Sequence, residues 1–326
     1  MGDIQKVVKF SFWALMTLSS ALSFGQSAFP DRPVTIVVPF PPGGGTDAGA
    51  RLIAQKLSTR WKQSVIIDNK AGAAGMVGSE YVSRAKPDGY TLLIGNIGTL
   101  SINPSLYKKM PYDPEKAFTP VSMIAELPYF LLVTPSMKAN NVKEFIAFAK
   151  ANPGSVTYAS SGSGSGPHLA GEMFEKAAGL DMMHVPYKGG GPAAADVMAG
   201  HVNMYFSTVL ESIGSVKSGK LKALGASSLV RSPAMPELPT IAESGVPGFD
   251  ATSWIGIVAP AGTPPALVEK ISADIKAVIS EQETKQTLIQ QGATPMPLSP
   301  SAFKARIESD RQRYAKVIKE GNVQVD

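Results

Sequence analysis

The sequence contains no cysteine and little histidine. With no Cys in 326 residues, disulfide bonds, thiolate nucleophiles and lipid-modified cysteines are all excluded. The three His residues do not fall at the spacing of a metal site, so we expect neither a metal nor another cofactor. The chain also lacks a block of Lys and Arg, and its net charge of +5 is modest for its length, so no nucleic acid partner is expected.

The first residues have the layout of a secretory signal peptide. Lys6 and Lys9 precede an apolar run that ends in small residues. This pattern predicts a signal peptide over residues 1–25 that is cleaved after Gly25, with cleavage after Ala28 as a near alternative. An uncleaved membrane anchor is the other interpretation, but the apolar run is short for a bilayer span of about 20 residues. The mature chain is therefore expected to be exported.

Beyond this leader, strand and helix patterns alternate, which places the chain in the α/β class. Three β-branched runs are separated by helical patterns, and this order is typical of a parallel sheet with right-handed crossovers. These runs are "VTIVVPF", "SVIID" and "YTLLIGN". The same alternation restarts further along the chain, which indicates a second unit of the same kind.

Two segments without helices interrupt the alternation and indicate where the chain passes between lobes. The first, "FTPVSMIAELPYFLLVTPS", predicts two extended segments, and the second, "RSPAMPELPT", is rich in proline. The sequence thus predicts one lobe formed by residues 29–125 and 231–326, a second lobe formed by residues 126–230, and a ligand cleft between them.

Glycine-rich loops follow five of the predicted strands. In a parallel sheet such loops emerge at the carboxyl edge, where doubly wound folds bind ligands. A helix start leaves N–H groups without partners, and small residues let a ligand approach those groups closely, so the loops suit an anion held without Arg or Lys. The loops are "PFPPGGGTD", "AGAAGMVGSE", "GNIGTLSINP", "SSGSGSGPH" and "YKGGGPAAAD".

Two enzymes compete with this interpretation. Gly43, Gly45 and Ala48 fit G-x-G-x-x-A, and Asp68 stands where a dinucleotide-binding fold places its ribose-binding acid. A secreted dinucleotide-dependent enzyme is therefore an alternative, although it leaves the loops of the second lobe unexplained. A secreted hydrolase is the other, but "GSGSG" has glycine where G-x-S-x-G needs its serine, and no clear catalytic triad can be assigned.

Over essentially the whole mature chain, the sequence resembles the Bug-type extracytoplasmic solute receptors, the periplasmic binding proteins of tripartite tricarboxylate transporters. The resemblance is carried by "FPDRPVTIVVPFPPGGGTD", "NKAGAAGMVGSEYVSRAKPDGYTLLIG", "SSGSGSGPHLAGEMFEKAAGL", "VPYKGGGPAAADVMAGHVNMYF" and "LPTIAESGVPGFDATSWIGIVAPAGTP". It implies a type II periplasmic-binding fold with two Rossmann-like lobes joined by two crossing segments. It also implies a monomeric, non-enzymatic periplasmic receptor that closes on a small carboxylate and delivers it to the membrane components of the transporter.

The resemblance also implies a set of ligand-binding residues. In the first lobe they are Phe40, Pro42, Gly43, Gly44 and Asp47, and in the loop of the second lobe they are Ser160, Ser161, Gly162, Ser163, Gly164 and His168. Tyr187 and Asp196 match a third binding segment, and Phe206, Ser207 and Trp254 fall where the floor and rim of the cleft would lie.

Several of these residues also have plain structural interpretations. Asp47 and Asp196 sit near helix starts, where a carboxylate complements the helix dipole. His168 could pack at a helix start instead of contacting a ligand, and Phe40 and Trp254 could pack in the lobe cores instead of forming apolar walls. These alternatives stay open at the level of sequence.

Overall fold

Two β-sheets, one in each lobe, organise the chain. The computed structural model describes residues 29–325, so the predicted signal peptide over residues 1–25 lies outside the described residues. Within the described part of the chain, no helix is both long and apolar enough to cross a membrane.

The first part of lobe 1 alternates strands and helices, as predicted. Its elements are β1 (Val34–Val38), α1 (Gly45–Trp61), β2 (Val65–Asn69), α2 (Met76–Ser83), β3 (Thr91–Asn96), α3 (Asn103–Leu106) and β4 (Phe118–Leu127). Helix α1 repeats an apolar residue at every fourth position, and Ile53, Leu57 and Trp61 are all buried against the sheet. Single turns of 3-10 and π helix, at Ala73–Gly75 and Gly98–Ile102, precede α2 and α3.

Lobe 2 repeats the alternation. Its elements are β5 (Tyr129–Val133), α4 (Val142–Ala151), β6 (Val156–Ser160), α5 (Gly166–Ala178), β7 (Met182–Pro186), α6 (Gly190–Ala199), β8 (Met204–Thr208), α7 (Val209–Lys217) and β9 (Lys222–Ala226). Among the described residues, the strands of this sheet are ordered β7-β6-β8-β5-β9. Phe145, Phe174 and Phe206 are fully buried in the core on one of its faces.

The last part of the chain returns to lobe 1. Its elements are β10 (Ser253–Pro260), α8 (Pro265–Ser280), α9 (Gln282–Gln290), β11 (Thr294–Pro295) and α10 (Pro300–Glu320). Over residues 29–325, the first sheet is ordered β11-β4-β10-β3-β1-β2, and every residue of the central strand β10 is buried. Helix α9 was not predicted because its sequence is mostly polar and buries only Thr284 and Leu288 within that helix.

Each sheet is mixed, so the prediction of parallel sheets holds for only part of each one. Strands β2, β1 and β3 are parallel, as are β7, β6 and β8. In contrast, β10 runs antiparallel to β3 and β4, and β5 runs antiparallel to β8 and β9. The reason is that β5 and β10 enter their sheets from the other lobe, without the crossover helix that parallel neighbours require.

The chain crosses between the lobes twice, once after the end of β4 and once before the start of β10. The first falls between Leu127 and Tyr129, close to the predicted boundary at residue 126. The second differs from the prediction, which assigned residues 231–326 to lobe 1. Ile241, Val246 and Phe249 are buried in the core of lobe 2, so the chain leaves this lobe only before Ser253. The Pro-rich segment is therefore a surface excursion of lobe 2.

Helix α10 contacts both lobes. Its Tyr314 and Ile318 are buried in one cluster with Leu169 of α5, and Met173 packs against the same cluster. Beyond this apolar contact, Lys176 of α5 forms an ion pair with Glu320 at the end of α10. The helix therefore ties the two lobes together.

Candidate ligand-binding cleft

Loops that follow the parallel strands of both sheets meet at a cleft of about 620 Å3 between the lobes. Lobe 1 contributes residues 40–42, 44–47, 74, 96–98, 103 and 107. Lobe 2 contributes residues 161–167, 189–190, 205, 208 and 211, and the crossings contribute residues 127, 129 and 253. Glycine, serine and threonine are frequent in these loops, so much of the wall is exposed main chain. Such a wall offers N–H donors with little side-chain obstruction.

The loop after β1 presents an uncapped helix start to the cleft. Gly44 is the N-cap of α1, and no side chain accepts a hydrogen bond from the first N–H groups of this helix. Gly43 has a φ of +95°, which favours glycine, whereas Gly44 has an ordinary φ of −81° and open space around it. The first turn of α1 therefore keeps donors available for a ligand.

Asp47 holds this loop in shape. Its Oδ2 accepts hydrogen bonds from the Gly43 N–H at 3.0 Å and from Arg51 Nε at 2.9 Å, and its Oδ1 accepts one from Asn69 Nδ2 at 2.8 Å. Burial raises the pKa of Asp47, but these hydrogen bonds outweigh that effect and leave the pKa below its ordinary value. The carboxylate is thus ionised and already committed to the loop.

The loop after β6 is compact because its glycines allow close approach. Gly162 and Gly164 have φ values of +131° and +75°. A Cβ on Gly166 would lie only 2.1 Å from the hydroxyl oxygen of Tyr129, so the loop meets the first crossing with no room for a side chain. Ser165 is the N-cap of α5, and its Oγ accepts a hydrogen bond from the His168 N–H at 3.4 Å.

His168 supports this loop from behind. Its Nδ1 accepts a hydrogen bond from the Gly164 N–H at 2.9 Å, and its Nε2 lies 3.4 Å from Oε1 of Glu172. The same carboxylate accepts a hydrogen bond from the hydroxyl of Tyr158. His168 is buried, so it shapes the loop and does not itself face the cleft.

His184 forms a second support beside His168. The two rings are stacked with centroids 3.7 Å apart and an interplanar angle of 6°. Nε2 of His184 lies 2.7 Å from Oγ of Ser160, which also accepts a hydrogen bond from the Gly162 N–H at 3.1 Å. Burial, together with the neighbouring His168, lowers the pKa of His184 to about 4, so this ring is neutral at neutral pH.

Helices α6 and α7 also begin at the cleft. Gly189 is the N-cap of α6, and no side chain caps this helix, so its first N–H groups are free for a ligand. Helix α7 is capped by Thr208, whose Oγ1 accepts a hydrogen bond from the Glu211 N–H at 3.4 Å. The side chains of Glu211 and Tyr205 lie in the wall next to these helix starts.

The electrostatics of the wall favour an anion held by dipoles. Among the described residues that line the cleft there is no Lys or Arg, and Asp47 and Glu211 carry its charged side chains. Asp47 is neutralised by Arg51. The positive potential therefore comes from the helix starts of α1, α5, α6 and α7.

The structure brings together most of the predicted loop residues. Those that line the cleft are Phe40, Pro42, Gly44, Asp47, Ser161, Gly162, Ser163 and Gly164. Three others, Gly43, Ser160 and His168, are hydrogen-bonded to the loops from outside the lining.

Five predicted residues lie elsewhere. Tyr187 donates a hydrogen bond to Oδ2 of Asp196 at 2.6 Å, and neither residue lines the cleft. Phe206 and Ser207 are fully buried in lobe 2, and Trp254 is fully buried in lobe 1. These three side chains do not line the cleft, because they pack inside the lobes, although Tyr205, Thr208 and Ser253 of the same strands do reach it.

Sequence reasoning missed several lining residues. They include Asn96, Tyr107, Tyr129, Tyr205 and Glu211. Glu211 follows a predicted strand end and stands at a helix start, so its position carried a usable signal. Tyr129 and Tyr205 carried none, because an aromatic residue in a strand is usually part of the core.

The structure does not favour the dinucleotide alternative. Asp68, the expected ribose-binding acid, forms an ion pair with Lys70 at 3.0 Å and does not line the cleft. Within residues 29–325, no three His, Asp or Glu side chains are grouped to hold a metal ion.

Comparisons with known proteins agree with the two-lobed fold. The solved structure of R. palustris Rpa4515 with adipate has a TM-score of 0.83 at 37% identity, covering 91% of this chain and 99% of that chain. MatC from Rhodopseudomonas palustris with bound malate has a TM-score of 0.77 at 32% identity, covering 89% of this chain and 100% of that chain. Protein BugT of Bordetella pertussis is 34% identical over 307 residues, which is 94% of each chain. The predicted two-lobed periplasmic-binding fold is confirmed.

A family model described as the tripartite tricarboxylate transporter family receptor matches residues 49–323. This match spans most of the chain and includes both lobes and α10. It points to a solute-binding receptor and not to an enzyme. The chain belongs to the receptor family of the tripartite tricarboxylate transporters.

Proposed function

We propose that this receptor captures a small carboxylate between its lobes and delivers it to the membrane components of a tripartite tricarboxylate transporter. One observation carries the proposal: uncapped helix starts from opposite lobes, α1 and α6, face one cleft whose described lining contains no Lys or Arg. Adipate and malate in two similar structures support a carboxylate as the ligand class.

In this mechanism, main-chain dipoles take the place of a cationic side chain. One carboxylate oxygen would accept hydrogen bonds from the first N–H groups of α1, next to Gly44. Lobe 2 would then bring Ser161–Gly164 and the start of α6 onto the other side of the ligand. Each charge-assisted hydrogen bond is worth about 1.5–3 kcal/mol, so a few of them hold a small acid without a formal positive charge.

Closure would be a hinge movement at the two crossings. Leu127 and Tyr129 at the first crossing, and Ser253 at the second, line the cleft themselves. A rotation there would narrow the cleft, and the buried contact between Leu169 of α5 and Tyr314 and Ile318 of α10 would adjust with it. The closed form is the state that the membrane components would recognise.

The place of action follows from the same proposal. The predicted signal peptide over residues 1–25 would direct the chain to the periplasm and be removed there. The mature receptor would act as a monomer, with one cleft in each molecule.

We propose no catalytic step for this cleft. A hydrolase needs a nucleophile that a substrate can reach. Ser160 does lie 2.7 Å from Nε2 of His184, but Ser160 is fully buried and its Oγ is bonded to the glycine loop. This pair therefore stabilises the loop that follows β6.

A thermal-shift screen of the mature protein tests the proposal. Small carboxylates are the test ligands, and neutral amides of the same acids and a nicotinamide dinucleotide are the controls. A carboxylate at about 100 times its Kd should stabilise the fold by roughly 2.7 kcal/mol, while the controls leave it unchanged. The proposal would be overturned if the dinucleotide stabilised the protein, or if none of the carboxylates did.

A further inference from the structure

The cleft contains a carboxyl side chain, that of Glu211, which would repel the proposed carboxylate ligand. Glu211 lines the wall and is exposed to the cleft solvent. The surrounding walls displace water and raise the pKa of this carboxyl, and the groups that oppose this effect are the hydroxyls of Thr208 and Ser207. No cation is among them. Glu211 is thus an unpaired carboxyl in a site that otherwise attracts anions.

Tyr205 places an unused hydroxyl beside this acid. The residue is 1% exposed, and its hydroxyl makes no hydrogen bond. A Cβ built on Gly190 would lie 2.8 Å from Oε2 of Glu211 and 2.9 Å from the Tyr205 hydroxyl. The two polar atoms therefore lie together against the main chain of Gly190, which lines the cleft at the start of α6. A buried hydroxyl without a partner is costly, so a ligand group that forms a hydrogen bond with it would recover the cost.

The charge of Glu211 decides which ligand group can bind next to Glu211 and Tyr205. Like charges a few ångströms apart in a protein cleft repel strongly enough to weaken binding by about tenfold or more. A second carboxylate is therefore unfavourable next to Glu211. An ammonium group has three donors, and the Glu211 carboxylate and the Tyr205 hydroxyl can both accept from it.

We propose that Glu211 and Tyr205 form a subsite for an ammonium group, so that the preferred ligands are carboxylates that also carry an amino group. The inference rests on the proposed function, because the carboxylate of the same ligand would occupy the helix starts on the other side of the cleft. Gly190 has no side chain, which lets Oε2 of Glu211 and the Tyr205 hydroxyl lie side by side at the start of α6. The receptor would thus select amino acids over plain mono- and dicarboxylates of the same length.

Calorimetry with matched ligand pairs tests this selectivity. The pairs are L-aspartate with succinate and L-glutamate with glutarate, and the tightest acid from any wider screen is paired with its amino or desamino counterpart. The native protein should prefer the amino member by about tenfold or more. In Glu211→Gln the side chain keeps its size but loses its charge, so the preference should fall below about threefold. An unchanged ratio in Glu211→Gln, or a native preference for the desamino member, would overturn the inference.

Two further variants separate the subsite from general effects. Glu144 occupies the same position in the first turn of α4 as Glu211 does in α7, and Glu144→Gln should leave the ligand ratio unchanged. Tyr205→Phe should weaken binding of the amino member by about fivefold without lowering the melting temperature, because the hydroxyl has no partner in the protein. A melting temperature that falls in Tyr205→Phe while the affinity is unchanged would count against the subsite.

The outcomes also distinguish this inference from the proposed function. If the native protein binds carboxylates but Glu211→Gln leaves the ratio unchanged, the subsite is wrong and the receptor function stands. If no carboxylate binds, both fail.

Discussion

Nδ1 of His168 accepts a hydrogen bond from the main-chain N–H of Gly164 across 2.9 Å. An acceptor at Nδ1 requires the proton of the neutral ring to be on Nε2, which lies toward Glu172. The ring therefore shapes the ligand loop of lobe 2 from its buried side. A residue that a sequence comparison would place in contact with the ligand acts instead through the loop.

His168→Ala is expected to weaken carboxylate binding by about tenfold. The Gly164 N–H loses its acceptor, which costs about 1 kcal/mol, and the loop no longer holds its donors in place. Calorimetry measures the effect, and His201→Ala is the control because that side chain is 71% exposed. Equal affinities of His168→Ala and the native protein would show that the loop keeps its shape without the ring.

His184 should make stability depend on pH between its ordinary pKa of 6.5 and its folded pKa of about 4. Its folded pKa of about 4 lies below the ordinary value of 6.5, so its contribution is full above 6.5 and is lost as the pH falls toward 4. The free energy of unfolding in urea should therefore be lower at about pH 5 than at about pH 7, and this difference should be smaller in His184→Gln. The same pH slope in the native protein and the variant would contradict the prediction.

Gly44→Leu should abolish binding while the protein stays folded. Gly44 has a φ of −81° and no atom near the position of a Cβ, so a larger side chain is tolerated by the lobe but occupies the cleft. Affinity should fall by about a hundredfold or more, with a melting temperature close to that of the native protein. Gly214→Leu is the control, since Gly214 also has free space around it and lies outside the lining. Retained binding in Gly44→Leu would place the ligand elsewhere.

The sequence predicted the loops of the site better than its side chains. Gly44 and Gly164 were found because glycine after a β-branched run has a local physical meaning that does not depend on the rest of the fold. Trp254 was predicted to lie in the cleft but is buried, and Tyr205 lines the cleft but was not predicted. The exposure of both side chains depends on which elements cover their strands, and only the assembled lobes decide this.

The same limit applies to the passage between the lobes. The Pro-rich segment after Val230 predicted a crossing, since proline is typical of connections. Ile241 and Phe249 nevertheless pack into lobe 2, and that contact joins residues far apart in the sequence. Local composition located the first crossing, where two strands follow each other directly, but it could not locate the second.

Asp310 on α10 is central to a buried polar network near the second crossing. The side chain is 3% exposed and accepts hydrogen bonds from Trp254 Nε1 at 2.7 Å, Arg306 Nε at 2.7 Å and Arg313 at 2.8 Å. Arg313 also donates to the main-chain oxygen of Asp250, in the segment that leads back to lobe 1. The carboxylate thus links α10 to the end of lobe 2 and to the central strand of lobe 1.

Asp310→Ala should therefore destabilise the protein by about 1–3 kcal/mol, because the buried Trp254 Nε1 loses its acceptor while Arg306 and Arg313 each keep one carboxylate, that of Glu126 and that of Asp250. Asp274→Ala is the matched control. Asp274 also accepts a hydrogen bond from a tryptophan, Trp61, but its partners Arg60 and Lys270 are 45% and 43% exposed and can turn to water, whereas Arg306 and Arg313 are 23% and 29% exposed. Urea unfolding should rank Asp310→Ala as the more damaging change, and the reverse order would show that the network near the crossing contributes less than its burial indicates.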